Sequence, residues 1–233
     1  MAAARSLLAR AYRHPALTDG ADAVLRLYDH GVRVLTIDTA TSAAAIGLVI
    51  DEVAVDAAPI RAAAAAQHVL TVVDALLTSE GLGIGDIDQI VVGRGPGSFT
   101  GQRIGLATAI GLAAPHETAV VGVGTATVLR AAAGPAAVAV IDARRGEVFA
   151  EGPGIELAAW SADALAARLT AGTLVVGDGA VRYRDAFSHC EVPADDSPLH
   201  VPSAAACAAA AEAGALATPL YVRAPDAVRT ADR

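Results

Sequence analysis

The stretch that most constrains the fold runs Gly93-Arg94-Gly95-Pro96-Gly97-Ser98-Phe99-Thr100-Gly101-Gln102-Arg103-Ile104-Gly105. It follows the apolar run Gln89-Ile90-Val91-Val92 and leads into an apolar segment that reaches Ala114. A buried strand, a rigid glycine-rich turn and a helix N-terminus are joined here, which leaves a row of backbone N–H groups pointing outward. Pro96 fixes one φ, the glycines permit positive φ, and Ser98 or Thr100 can cap the helix. An anion cradle and a tight, capped turn both satisfy this local pattern.

Familiar motifs for phosphates and nucleophiles do not match. The P-loop needs Gly-Lys followed by Ser or Thr, and the chain has no lysine, so all 17 of its basic residues are arginines. The dinucleotide fingerprint needs a glycine five positions after its first, where Ser98 follows Gly93 and Thr100 follows Gly95. The nucleophile elbow separates its serine from each glycine by one residue, but Ser98 directly follows Gly97.

Composition narrows the function classes. At 233 residues the chain can bury a substantial core, as one large domain or two small lobes. Apolar residues make up 54 % and aromatics 3 %, so the core is built from Ala, Val, Leu and Ile, with few platforms for stacking bases. A formal charge of -8 argues against a broad nucleic-acid surface, which leaves any RNA contact local or indirect. Cys190 and Cys207 form neither a zinc pair nor a disulfide framework, so free intracellular thiols are expected. The start lacks a signal-peptide core, and apolar runs elsewhere read as broken before membrane-spanning length. A cytoplasmic protein without a membrane segment is the expectation.

Along the chain, residues 1–32 show no strand pattern and read as an N-terminal extension of unassigned role. From Arg33 a three-stranded meander is predicted, with strands at Val34–Ile37, Ala45–Ile50 and Val53–Asp56. A helix from about Arg61 to Ser79 carries Val69, Val72, Val73, Leu76 and Leu77 on one stripe. Ile90–Val92, a helix from about Thr100 to Ala113, Val120–Val123 and a helix from about Thr125 to Ala133 complete a β-β-β-α-β-α-β-α unit. Gly134-Pro135 marks a boundary, dividing the chain into lobes at 33–133 and 134–233. The second lobe is predicted to hold strands at Val138–Ile141, Glu147–Ala150 and Leu174–Val176, a turn at Gly177-Asp178-Gly179, helices at Ala162–Thr170 and Ser203–Ala213, and an extended Pro219–Arg223.

Four blocks in this order resemble the TsaB (YeaZ) family: Leu35-Thr-Ile-Asp-Thr-Ala-Thr41, the Gly93–Gly105 block, Ile141-Asp-Ala-Arg-Arg-Gly-Glu-Val-Phe149 and Pro219-Leu-Tyr-Val-Arg223. The resemblance spans about Arg33 to Arg223 and rests mainly on the long glycine block. It implies an α/β fold of the ASKHA (actin/hexokinase/Hsp70-like) type with duplicated lobes, the second abbreviated. It also implies a non-catalytic accessory role beside a TsaD-like paralogue, which transfers threonylcarbamoyl to adenosine 37 of tRNA, and a TsaE-like ATPase. The chain then needs no cofactor of its own. ATP or ADP is expected at the junction with partner subunits, tRNA is reached only through the complex, and the free chain can pair with itself. An autonomous ASKHA enzyme, either a small-molecule kinase or an M22-type metallopeptidase, is the alternative.

Two groups of residues follow as candidates. The nucleotide or partner loop comprises Asp38, Thr39, Thr41, Arg94, Gly95, Pro96, Gly97, Ser98, Thr100, Asp142 and Arg144. Ala40 stands where ASKHA proteins have the glycine that admits a phosphate, so Asp38 reads as accepting turn N–H groups, with phosphate binding the alternative. Asp142, Arg144 and Glu147 read as a bridged hairpin turn, with contact to a partner-held nucleotide the alternative. The partner interface comprises His68, Val69, Val72, Gly101, Gly105 and Ala109, the last three forming a smooth i, i+4, i+8 stripe. No metal site and no catalytic residue is expected. His14, His30, His68, His116, His189 and His200 include no pair four apart on a helix, and His189-Cys190 does not read as a nucleophile with its base.

Overall fold

A computed structural model describes residues 31–211 and 216–223, so all but the end of the N-terminal extension lies outside the described residues. Strands β1 (Arg33–Asp38), β2 (Ala43–Ile50) and β3 (Val53–Asp56) form the antiparallel meander. A short β4 (Ile60–Arg61) pairs with the start of β2. β5 (Gln89–Gly93) lies parallel to β1, and β6 (Ala119–Val123) lies parallel to β5. The order is therefore β3-β2-β1-β5-β6. β1 and β5 are buried on both faces and read as continuous apolar runs, as central parallel strands do.

Helices α1 (Ala62–Ser79) and α2 (Phe99–Ala113) cover one face of this sheet. Ala65, Val69, Val73, Leu76 and Leu77 of α1 pack with Leu106, Ala109 and Ala113 of α2 over Leu35, Ile37, Ile46 and Ile90. α1 has the length and apolar composition of a membrane span, which a helix packed on a protein core also has. Its buried stripe is spent on the sheet instead.

The second sheet has the order β10-β7-β8-β9, with β7 (Val138–Arg144), β8 (Glu147–Gly152), β9 (Ile155–Ser161) and β10 (Val175–Val176). β10 runs parallel to β7, while β7, β8 and β9 form a meander. Order and directions repeat β5-β1-β2-β3 of the first sheet, with no counterpart of β6 among the described residues, which is the abbreviated duplication the family resemblance implied. β9 was missed because its residues are mostly partly exposed and present no buried run. The helix expected over Ala162–Thr170 stops at Ala166 (α4), and the turn expected at Gly177–Gly179 opens a short helix, α5 (Asp178–Arg182). Gly177 and Gly179 let α5 lie against the backbone of Val140 and Ile141, where a Cβ would approach within 2.4 and 2.9 Å.

Helix α3 (Thr125–Ala133) joins the lobes. Val128 packs with Val34, Val91 and Val123 of the first sheet and with Ala206 and Cys207 of α6 (Ala204–Ala210). Ala126 and Leu129 pack on Ala139, Ile141, Phe149 and Val176 of the second. One helix thus shares its buried residues between the two cores. Neither Cys190 nor Cys207 is in a disulfide.

Candidate functional site

Every glycine of the long block that meets another part of the chain meets it at close range. A Cβ on Gly93 would lie 2.1 Å from a carboxylate oxygen of Asp38, one on Gly97 2.2 Å from the carbonyl of Ala40, one on Gly101 2.0 Å from the carbonyl of Thr39, and one on Gly105 2.5 Å from Thr39 Oγ1. Gly95, at φ +96 before a cis bond to Pro96, makes room for Gln102. The β1–β2 turn is pressed into the block and bonded there. Ser98 N–H donates to the Ala40 carbonyl (2.7 Å), and Thr39 Oγ1 donates to the Gly101 carbonyl (2.6 Å). Ser98 caps α2 by accepting from Gly101 N–H at 3.1 Å, the capping arrangement expected of it. Of the two local readings the geometry is that of the capped turn, with Ser98 N–H and the space beside Gly93, Gly97 and Gly101 taken by Asp38–Ala40 of the same chain.

Asp38 is 1 % exposed and accepts from Ala40 N–H (2.9 Å) and the Thr125 hydroxyl (2.8 Å). Burial pushes its carboxyl up to about 6, more than these bonds lower it, with the nearby charge of Asp178 adding to the rise. Thr125 N–H also donates to the Gly95 carbonyl (2.7 Å), so the first turn of α3 touches both the aspartate and the block. Arg94 serves through its backbone, its N–H bonding Val123 and its carbonyl accepting from Leu220 at 2.7 Å.

Between the lobes lies a cleft of about 300 Å³, lined by Ala40, Thr41, Ser42 and Gly97–Thr100 on one side and by Asp142, Ala143, Arg144, Phe149, Asp178 and Arg223 on the other. Of the predicted loop residues, Thr41, Gly97, Ser98, Thr100, Asp142 and Arg144 meet there. Asp38, Thr39, Arg94, Gly95 and Pro96 lie outside its lining, packed or bonded behind the turn. Sequence reasoning missed Asp178, whose carboxylate spans the lobes by accepting from Ser42 N–H (2.7 Å) and Asp142 N–H (3.0 Å). Burial raises its pKa as well. The available signal was a short apolar strand, Val175-Val176, followed after one glycine by an acid. Residues 216–223 run from the first lobe, where Leu220 bonds Arg94, to the cleft, where Arg223 joins the lining. Tyr221 stacks on Phe99 (centroids 5.5 Å apart) and accepts from Arg103 Nε (3.1 Å), while Arg223 pairs with Glu147.

Comparison with known proteins supplies the context for this geometry. A family profile described as "TsaD: tRNA N6-adenosine threonylcarbamoyltransferase" matches residues 58–166. The tRNA threonylcarbamoyladenosine biosynthesis protein TsaB of Escherichia coli is 38 % identical over 123 residues, covering 51 % of this chain and 53 % of that one. The chain therefore spans about half the length of this curated relative. An uncharacterised protein of Mycobacterium tuberculosis is 33 % identical over 200 residues, 83 % of this chain and 93 % of its own. The solved structure of YeaZ from Pseudomonas aeruginosa superposes with a TM-score of 0.66 at 25 % identity, covering 82 % of this chain and 99 % of that one. The chain belongs to the TsaB/YeaZ family.

Within this TsaB/YeaZ-family chain, four of the six residues expected at a partner surface are internal. Val69 and Ala109 are core residues, and Gly101 and Gly105 face Thr39, not solvent. Val72 is half-buried against the same core, which leaves His68 exposed. The smooth stripe exists so that α2 can approach the chain's own β1–β2 turn. The outward faces of α1 and α2 carry Leu70 and Ile110 instead, 59 % and 52 % exposed. Among the described residues no three acidic, histidine or cysteine side chains are grouped to hold a metal ion. His200, buried, accepts from Gly177 N–H at Nδ1 (3.1 Å) with Nε2 at 3.3 Å from the Pro193 carbonyl, a structural role that assigns the ring proton to Nε2.

Proposed function

We propose that this chain is a non-catalytic subunit in the modification of tRNA adenosine 37 by threonylcarbamoyl, acting by docking onto a TsaD-like paralogue to which a TsaE-like ATPase is recruited. Membership of the TsaB/YeaZ family and the name of the Escherichia coli relative support the pathway. The observation that carries the accessory role is the filled glycine block, in which Ser98 N–H and the clearances at Gly93, Gly97 and Gly101 are taken by Asp38–Ala40. Such a turn holds a shape and leaves little room for a nucleotide phosphate. The docking surface in this reading is the outward face of α1 and α2, where His68, Leu70 and Ile110 are exposed. The same face serves self-pairing when the paralogue is absent. ATP or ADP belongs to the junction with the partners, tRNA is reached through the assembly, and the compartment is the cytoplasm.

One observation favours the alternative of an autonomous ASKHA enzyme, the raised pKa of Asp38 beside a cleft. Its burial and its bonds to Ala40 and Thr125 leave that carboxylate little access to a substrate. The test is reconstitution with threonylcarbamoyl-adenylate and tRNA. The chain alone should give neither modification nor ATP turnover, and addition of the two partners should give modification. Robust modification or ATP hydrolysis by the single chain would refute the reading. Leu70→Glu/Ile110→Glu should weaken partner binding by at least tenfold, equivalent to about 1.4 kcal/mol, with the melting temperature of the free chain unchanged.

A further inference from the structure

The turn joining β7 to β8 is built against local preference. Arg144 pairs with Glu147 across a two-residue turn, and Arg144, Arg145 and Gly146 have φ of +66, +57 and +81. Glycine, Asn or Asp ordinarily fills such left-handed positions, yet two of the three are arginines. Beneath them the Asp142 side chain is 7 % exposed. Its Oδ2 lies 3.2 Å from Arg144 Nη1 and 3.6 Å from Arg182 Nε, and its Oδ1 accepts from Arg144 N–H (2.9 Å) and the Tyr183 hydroxyl (3.2 Å). One buried carboxylate tethers two guanidinium groups whose side chains remain 63 % and 54 % exposed. The tether restricts both arginines while occupying only part of their five-donor forks.

We propose that Arg144, Arg145 and Arg182 form a contact for the phosphodiester backbone of RNA. The inference rests on the tRNA-directed role given above and deepens it. Arg144 and Arg182 on one organising carboxylate, with Arg145 exposed beside Arg144 in the turn, concentrate positive charge on a chain whose formal net charge is -8. An acidic, aromatic-poor protein repels a polyanion over most of its surface, so its share of an RNA is restricted to phosphates at such a point. Planar guanidinium forks match phosphate oxygens two at a time, and a buried anchor holds them ready. The contact positions RNA and reads no sequence.

The test is fluorescence anisotropy of a labelled, unmodified tRNA transcript with the full chain assembled with its TsaD-like and TsaE-like partners, at several salt concentrations. In Arg144→Gln/Arg145→Gln/Arg182→Gln the Kd should rise at least tenfold. The slope of log K against log salt should flatten by about 2, because each phosphate that an arginine neutralises contributes roughly 0.7–0.9 to it. Arg144→Lys/Arg182→Lys keeps the charge and should retain most of the binding, and it carries the test if the triple variant melts early. Arg61→Gln, exposed on the first lobe, should bind as the unaltered chain does. The inference is overturned by no binding of the transcript to the assembly that holds the unaltered chain, by a folded triple variant whose assembly has unchanged Kd and slope, or by an equal loss in Arg61→Gln. It is also overturned if ATP or polyglutamate competes as well as RNA does, which would assign the arginines to a free nucleotide or an acidic protein. Reconstitution separates the two levels. Equal stimulation of modification by the unaltered chain and the triple variant removes only the RNA contact, whereas no stimulation by the unaltered chain removes the reading on which it rests.

Discussion

Asp38 and Asp142 stand at or near the ends of the two first strands, β1 and β7, Asp38 behind the turn that lines one side of the cleft and Asp142 in the lining of the other, and the protein treats them in opposite ways. Around Asp38 the chain closes. Glycines bring backbone against backbone, and a buried carboxylate is left to an N–H and a hydroxyl. Around Asp142 the chain opens, and Arg144, from its left-handed turn, and Arg182, from α5, lie over the carboxylate with their side chains more than half exposed. Duplication supplied two equivalent strand ends, and the residues that follow decided whether each became packing or surface. Glycine made one turn a socket for its own chain, and arginine made the other a charged edge.

The strongest way to break this contrast is at Gly101. In Gly101→Ala the new Cβ meets a backbone oxygen of the β1–β2 turn, which cannot rotate away, so a loss of about 3 kcal/mol is expected. In a chain of this size that is a fall of about 6–12 °C in melting temperature. An unchanged melt would mean that the socket is loose. Next is the charge inside it. A carboxyl whose native pKa is about 6, against about 3.9 unfolded, costs stability as pH rises from about 4 through 6, and the full cost of about 3 kcal/mol is present above 7. Asp38→Asn should therefore be more stable than the unaltered chain at pH 8 by about 1–3 kcal/mol, and the difference should vanish near pH 4. Melts across that range would contradict this if the variant were weaker at pH 8. The Asp178 carboxyl, raised in the same direction, should keep some slope in both proteins.

A smaller effect of opposite sign is expected on the open side. Arg145→Gly relieves a left-handed arginine and should stabilise the protein by about 1 kcal/mol, measured by urea unfolding. Destabilisation would show that the arginine side chain holds the turn. The smallest effect sharpens the first. Gly111→Ala lies on the same helix as Gly101 with nothing within 4 Å of the new Cβ, so helix propensity alone should add about 0.5–1 kcal/mol. The two alanines, ten residues apart on α2, should move the melting temperature in opposite directions.

Much of this architecture could be read in the sequence, because it is written in local terms. Apolar periodicity located β1 to β3 and α1, and Ser98 announced the start of α2. The purpose of the glycines could not be read, since a missing Cβ records that something comes close without recording what. A ligand phosphate, a partner helix and the carbonyl of Thr39 leave the same pattern at Gly101, and only the tertiary fold decides among them. Gly105 and Ala109 were misassigned to a surface for the same reason. Asp178 was hidden because its partners, Ser42 and Asp142, lie 136 and 36 positions away. No spacing rule reaches that far.

Those separations also set an order of assembly. Thr39 reaches across 62 positions to Gly101, Asp178 across 136 to Ser42, and Tyr221 across 118 to Arg103. Contacts so distant in sequence add the entropy of closing long loops and so delay folding. During synthesis the socket can close once α2 has emerged, well before Asp178 exists to span the lobes or Arg223 to reach Glu147. The cleft is thus among the last parts of the molecule to be made, and a nascent first lobe has its packing settled before it has anything to present to another molecule.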